Sequence, residues 1–131
     1  MNRPRHQATL RVAVLVATKN RHDLLAARSL PSIASQRRPC DELVLVDDSG
    51  DDASLERCRS LAFSLGLPVS ALLNRRTCGA AGAWNTGLDH LARHAADPRS
   101  VFVAFLDDDD EWLPDWSREY HGWVALLAPS K

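Results

Sequence analysis

No apolar run in the sequence approaches the length that crosses a membrane, so a transmembrane helix within it is excluded. The nearest thing to a secretory signal is Val12 to Ala17 behind a basic N-terminus. That run is short, and Lys19, Asn20, Arg21 and His22 follow almost at once, so it reads as a buried strand. Paired cysteines are also lacking: Cys40, Cys58 and Cys78 are odd in number and far apart, with no C-x-x-C pair and no histidine at zinc-finger spacing. A disulfide framework is excluded, each cysteine reads as a small core or near-surface residue, and a reduced, cytoplasmic protein is the expectation. Surplus charge is missing too, since the formal net value is −1, which argues against a general nucleic-acid binder. The familiar phosphate loops are absent. There is no G-x-x-x-x-G-K-S/T, and Gly79-Ala80-Ala81-Gly82 lacks the G-x-G-x-x-G spacing, which removes P-loop NTPases and dinucleotide oxidoreductases. Ser49 belongs to no recognisable nucleophile triad, and His22, His90, His94 and His121 read as surface or packing residues.

What is present is a regular alternation of elements without internal repeat or low-complexity linker. The 131 residues, 45% hydrophobic and 25% charged, fit one domain with a sizeable core, with residues 1–9 polar and loose ahead of a unit over 10–131. Strands are expected at Arg11 to Thr18, Leu43 to Val46, Val69 to Leu73 and Val101 to Leu106. The first is continuously apolar rather than alternating, the pattern of a parallel strand covered on both faces. A helix over His22 to Gln36 places Ala26, Leu30 and Ile33 on one face, with Pro31 expected to kink or break it. Leu55, Cys58, Ala62 and Leu65 mark a second helix, capped by Gly66. Between Gly79 and Ala95, the positions Ala81, Trp84, Leu88, Leu91 and Ala95 mark a third. Pro114 reads as the start of a fourth, with Trp116, Tyr120, Trp123 and Leu127 along one face. The fold class expected is therefore α/β, a three-layer sandwich around a mainly parallel, Rossmann-like sheet.

In open sheets of this kind ligands bind beyond the carboxyl ends of the strands, where the strand order reverses. Those ends carry Thr18 and Asn20, Asp47 and Asp48, Arg75 and Arg76, and Asp107 to Asp110. The acidic turn is the sharpest signal among them. Two carboxylates about 4 Å apart repel by roughly 4 kcal/mol at an effective dielectric near 20, so four acids behind a buried strand favour a cation. Carboxylate oxygens suit Mg²⁺ or Mn²⁺, held together with nucleotide phosphates. A solvated acidic turn that favours the next helix N-terminus is the plain alternative. Thr18 and Asn20 fit helix caps as well as ligand contacts, and Asp47 and Asp48 fit an acidic turn. Arg75 and Arg76 fit solvated loop arginines as well as phosphate partners. The tryptophans read as core, except that Trp112, beside the acids, fits either core or a sugar platform. Charge is uneven: residues 1–40 carry eight Lys/Arg against one acid, and residues 101–131 carry seven acids against two Lys/Arg. That asymmetry fits a basic wall near an anionic ligand or simply a solvated face.

Taken in order, VAVLVATKNR (Val12–Arg21), ELVLVDDSGDD (Glu42–Asp52), GAAGAWNTGL (Gly79–Leu88) and VFVAFLDDDDEWLP (Val101–Pro114) resemble the nucleotide-sugar-binding half of glycosyltransferase family 2, with its GT-A fold. The resemblance covers nearly the whole chain, and its specificity lies in the four motifs together. It implies that Thr18 and Asn20 lie on the nucleotide side and that Asp47 or Asp48 hydrogen-bonds the base or ribose. It also implies that Asp107-Asp108-Asp109 is the D-x-D motif, with Asp109 and Asp107 on a Mn²⁺ or Mg²⁺ ion and Asp107 or Asp108 touching the sugar-nucleotide. Asn85 matches a family position and is assigned packing or capping. The partners implied are a nucleotide-diphospho-sugar and an acceptor whose hydroxyl attacks the anomeric carbon, normally with inversion, while the metal neutralises the departing diphosphate.

Members of that family continue into a second half that binds the acceptor and supplies the catalytic base. No residue here is nominated as that base, and Asp115 and Glu119 read as surface acids. The expectation is thus a truncated GT-A-like donor portion whose uncovered sheet invites self-association or a second polypeptide. A rival reading is a non-catalytic nucleotide-sugar-binding module or remnant. A more distant one is a metal-dependent nucleotidyltransferase, which would want a Gly/Arg-rich loop where Ala17-Thr18-Lys19-Asn20 stands.

Overall fold

The computed structural model describes residues 11–114, so the loose N-terminal segment and the helix expected after Pro114, with Trp116, Tyr120, Trp123 and Leu127, lie outside the described residues. Strands β1 (Arg11–Thr18), β2 (Glu42–Asp47), β3 (Val69–Leu73) and β4 (Val101–Phe105) form one sheet in the order β3-β2-β1-β4. Every pairing is parallel. Each strand falls within a residue of its expected bounds, because short apolar runs buried on both faces, such as Val12–Val16 and Leu43–Val46, have no other stable place in the fold. The chain steps outward from β1 to β2 and β3, then returns to lay β4 on the other side of β1. Strand order therefore reverses at β1.

Alternation along the strands divides the core in two. Val14, Val16, Leu43 and Leu45 meet a layer formed by α1 (His22–Leu24), the wide turn Leu25–Ser29, α2 (Leu30–Ala34) and α3 (Asp52–Ser64), through Leu25, Leu30, Ile33, Cys58 and Ala62. On the other face Ala13, Leu15, Val44, Val46, Val101 and Val103 meet α4 (Ala80–His94) through Ala83 and Leu91. The architecture is the expected α/β sandwich with helices on both faces of a parallel sheet.

Three details of the helices differ from expectation. Pro31 does not end the first one. The residues before it, Leu25–Ser29, form a π turn, whose wider i→i+5 spacing accommodates a proline that lacks an N–H. The extra residue in that turn rephases the face, so Leu25, Ser29, Leu30 and Ile33 are buried while Ala26 is exposed. In α3 the buried line is Ser54, Cys58 and Ala62; Leu65 lies past the last turn and is 41% exposed, and Leu67, beyond Gly66 at φ +76°, takes the core position instead. In α4 the buried line is Gly82, Ala83, Thr86, Gly87 and Leu91, with Ala81 outside. A count of apolar residues misses this line because glycines make it: a Cβ on Gly87 would lie 2.3 Å from Leu15 Cδ1, so the bare backbone lets α4 settle onto β1.

Candidate functional site

Beyond the carboxyl ends of β1 and β4, a cavity of about 420 Å³ opens against the N-terminus of α4. Ala17, Thr18, Lys19 and Arg21 reach it from the end of β1, Asp48 from the end of β2, and Asp107, Asp108 and Asp109 from the turn after β4. Gly79, Ala80, Ala83 and Trp84 form the α4 side. The acidic turn is held at both ends, since Asp107 follows the β-ladder directly and residues beyond it are tied to the first helical layer. Arg28 Nε donates to Glu111 Oε1 at 3.2 Å, and Gln36 Nε2 donates to the Leu113 carbonyl at 2.7 Å.

The four acids do not point the same way. Asp108 turns inward, 7% exposed, and accepts from Thr18 Oγ1 at 2.9 Å and from Arg21 Nη1 at 3.4 Å. Asp107, Asp109 and Asp110 face out. Arg21 Nη1 also donates to Asp109 at 3.1 Å. The repulsion expected from crowded acids is thus reduced by spreading them, and by a guanidinium shared between two. Among the described residues no three carboxylates of this turn come within ligand distance of one another. Asp107 and Asp109 nevertheless offer exposed oxygen donors, and Asp107's side chain has no hydrogen-bond partner among the described residues. A pair of carboxylates is the donor set that Mg²⁺-type ions take when phosphates complete the shell, so these two residues fit such an ion.

Adjacent Asp47 and Asp48 face opposite sides of the sheet. Asp48 lies on the cavity side, where Asn74 Nδ2 and the Gly79 N–H each donate to it at 2.7 Å. The Asn74 amide, then the Gly79 N–H and the Lys19 charge, hold its carboxyl below the usual range against the opposing effect of burial. Asn74 is itself fixed, donating to the Thr77 carbonyl at 2.9 Å and accepting from Thr86 Oγ1 at 2.7 Å. Gly82 keeps that loop close to α4, since a Cβ there would sit 1.8 Å from the Thr77 carbonyl oxygen. Asp47 is fully buried on the opposite face, its Oδ1 accepting from the Ser49 N–H at 2.9 Å.

Of the residues singled out by sequence, Thr18, Asp48, Asp107, Asp108 and Asp109 meet at the cavity, while Asn20 and Asp47 do not line it. Asn20 sits exposed at φ +55° in the loop after β1, and the first helix has no side-chain cap. Arg75 and Arg76 stay outside, Arg76 paired with Asp89 at 2.7 Å. Asn85, assigned packing or capping, is exposed. Trp112 packs against the core, and Trp84, tilted on Phe105 at 4.9 Å, is the tryptophan among the described residues that lines the cavity. Lys19, Arg21 and Asn74 were not singled out. The first two belong to the basic third of the chain, whose excess charge was the available signal, whereas Asn74 carries no signal short of the fold.

A profile described as Glycosyl transferase family 2 matches residues 13–120. The chain belongs to that family. It is similar to the galactofuranosyltransferase GlfT1 of Mycolicibacterium smegmatis, 34% identical over 98 residues, which are 75% of this chain and 30% of that protein. The UDP-Glc:alpha-D-GlcNAc-diphosphoundecaprenol beta-1,3-glucosyltransferase WfgD of Escherichia coli is 32% identical over 102 residues, 78% of this chain and 36% of that one. Among solved structures, S. aureus TarS 1-349 superposes with a TM-score of 0.56 at 27% identity, covering 77% of this chain and 28% of that chain. The family 2 chain described here thus spans about a third of the length of the curated relatives it matches.

Proposed function

We propose that residues 10–131 form the donor-binding portion of a metal-dependent family 2 glycosyltransferase that uses a nucleotide-diphospho-sugar. The observation that carries this reading is the convergence of Asp48, Lys19, Arg21 and the acidic turn on one cavity at the reversal of strand order. In this reading Asp48 accepts a hydrogen bond from the base or ribose, and its two present donors keep it ionised and oriented. Lys19, Arg21 and the first-turn N–H groups of α4 face the diphosphate. Thr18 sets the position of Asp108, which faces the sugar-nucleotide. Asp107 and Asp109 would hold Mn²⁺ or Mg²⁺, which when bound supplies positive charge opposite the diphosphate.

Transfer breaks the bond from the anomeric carbon to the diphosphate oxygen, whose electron pair leaves with the diphosphate. An acceptor oxygen forms the new glycosidic bond from the opposite face, and its proton passes to a base that is not assigned among the described residues. We place that base and the acceptor on a further segment, a second polypeptide or a second copy of the chain, and the reaction in the cytoplasm, with which three free cysteines are compatible.

Titration calorimetry with UDP first, because WfgD is named for a UDP-Glc donor, and then GDP and dTDP, tests the reading. Binding that requires Mn²⁺ and weakens at least tenfold in Asp109→Ala is the expected result. A folded chain that binds none of the three refutes a working donor site and leaves the remnant reading.

A further inference from the structure

We propose that His22, Asp47 and Cys58 form a second cation site, suited to a Zn²⁺-class ion, on the face of the sheet opposite the donor cavity. One ligand atom from each of the three lies within 4.8 Å of the others. They come from three elements: the first residue of α1, the last of β2, and the middle of α3. Neither Asp47 nor Cys58 is accessible, at 0% and 1% exposure, and His22 is half-buried.

A second, independent observation concerns Asp47 alone. Its Oδ1 is satisfied by Ser49, but Oδ2 is buried with no hydrogen-bond partner. An orphaned oxygen on a fully buried carboxylate is costly unless a proton or a cation meets it. The neighbours that could meet it are the ligand types that share a borderline metal: an imidazole nitrogen and a thiol sulfur.

The geometry needs little adjustment. A tetrahedral zinc with bonds of about 2.0–2.3 Å spaces its ligand atoms about 3.3–3.8 Å apart, so the trio closes by roughly an ångström. His22 Nε2 lies 2.9 Å from Ser54 Oγ, so the ring would meet the ion through Nδ1, with the hydroxyl holding the other nitrogen. A surface pocket of about 340 Å³, lined by Asn20, Arg21, His22, Asp23, Leu24 and Arg57, opens beside His22.

The mixed sulfur, nitrogen and oxygen set selects against Mg²⁺ and Mn²⁺, the ions suited to the acidic turn. Two classes of metal would then serve one chain without competing, and the inference stands whether or not the donor reading does. Bound ion would tie the start of α1 to α3 directly behind the Thr18–Arg21 loop.

The test is titration of the purified chain with Co²⁺ and, by competition with a chelating dye, with Zn²⁺. One equivalent should bind, with a thiolate-to-cobalt charge-transfer band that excess Mg²⁺ does not remove. Cys58→Ser and His22→Gln should each weaken Zn²⁺ binding at least tenfold, with Cys58→Ser abolishing the band and Cys78→Ser leaving it intact. Because a core variant can fail to fold, wild-type chain should also be alkylated with and without Zn²⁺ and the modified peptides mapped. Slower labelling of Cys58 with the ion present is expected. Absence of the band together with unchanged Cys58 labelling, or a band that survives Cys58→Ser, overturns the site.

Discussion

Replacing Gly82 with alanine adds one methyl group where the fold has no room for it. The new Cβ would lie 1.8 Å from the Thr77 carbonyl oxygen, against the 3.0 Å below which something must shift, so loop and helix must separate by more than an ångström. That obstacle is backbone, which cannot rotate away as a side chain does. Overpacking typically costs about 1–3 kcal/mol, occasionally more, and alanine in place of glycine within a helix returns about 1 kcal/mol. With the rigid neighbour placing the cost at the upper end, the net loss expected is about 2 kcal/mol. The loss should have a functional companion, because the same Thr77 carbonyl accepts from Asn74, and Asn74 orients Asp48. Urea unfolding gives the first number as a lower midpoint at unchanged slope, and nucleotide calorimetry on the folded fraction gives the second. Gly87→Ala is the control. Its clash is with the side chain of Leu15, so it should cost about 1 kcal/mol and leave the Asp48 contacts alone. A Gly82→Ala chain as stable as wild type would refute the packing argument.

Asn74→Ala removes the largest influence that lowers the Asp48 carboxyl. A depressed folded-state pKa contributes stability that is present above the ordinary value of 3.8 and is lost as the pH falls through the lower folded value. The melting-temperature gap between wild type and Asn74→Ala should therefore narrow on acidification through that range, and a gap that widens sinks the assignment. Arg21→Gln leaves the nearly buried Asp108 with Thr18 as its remaining partner. Since Arg21 is itself half-exposed, a loss of about 1 kcal/mol is expected at low salt, shrinking in high salt, as followed by urea unfolding in both. With a thiol reagent and native chain, Cys78 should react first and Cys58 last, since Cys78 is exposed and Cys58 is buried. Equal rates would contradict the described packing.

The strands were legible because period and length suffice to find a run such as Leu43–Val46, buried on both faces. The position of the acidic turn followed from β4 alone. What the residues did not disclose depends on phase or on long-range contact. One extra residue in the π turn moved Ala26 out of the core, and no local pattern marks that insertion. The contact line of α4 runs through Gly82 and Gly87, whose role is to be absent where another chain segment passes. That Asp48 and not Asp47 lines the cavity was within reach, because alternation at the end of β2 sends the two to opposite faces. Arg21 meets Asp108 across 87 positions and Asn74 meets Asp48 across 26, and only the strand order brings such pairs together.

The position of β1, paired on both sides, sets the order in which the site would come apart. Amides of β1 and β2 lie between neighbours and should exchange with solvent only in the deepest openings, whereas β3 forms an edge and most of its residues are only half-buried. Asn74 directly follows β3, so detachment of that edge releases Asp48 and with it the part of the cavity formed by the end of β2. The Thr18–Asp108 link spans β1 and the turn after β4 and survives that step. The Asp48 side of the cavity and the acidic turn should therefore open separately, the first with the β3 edge and the second with β4.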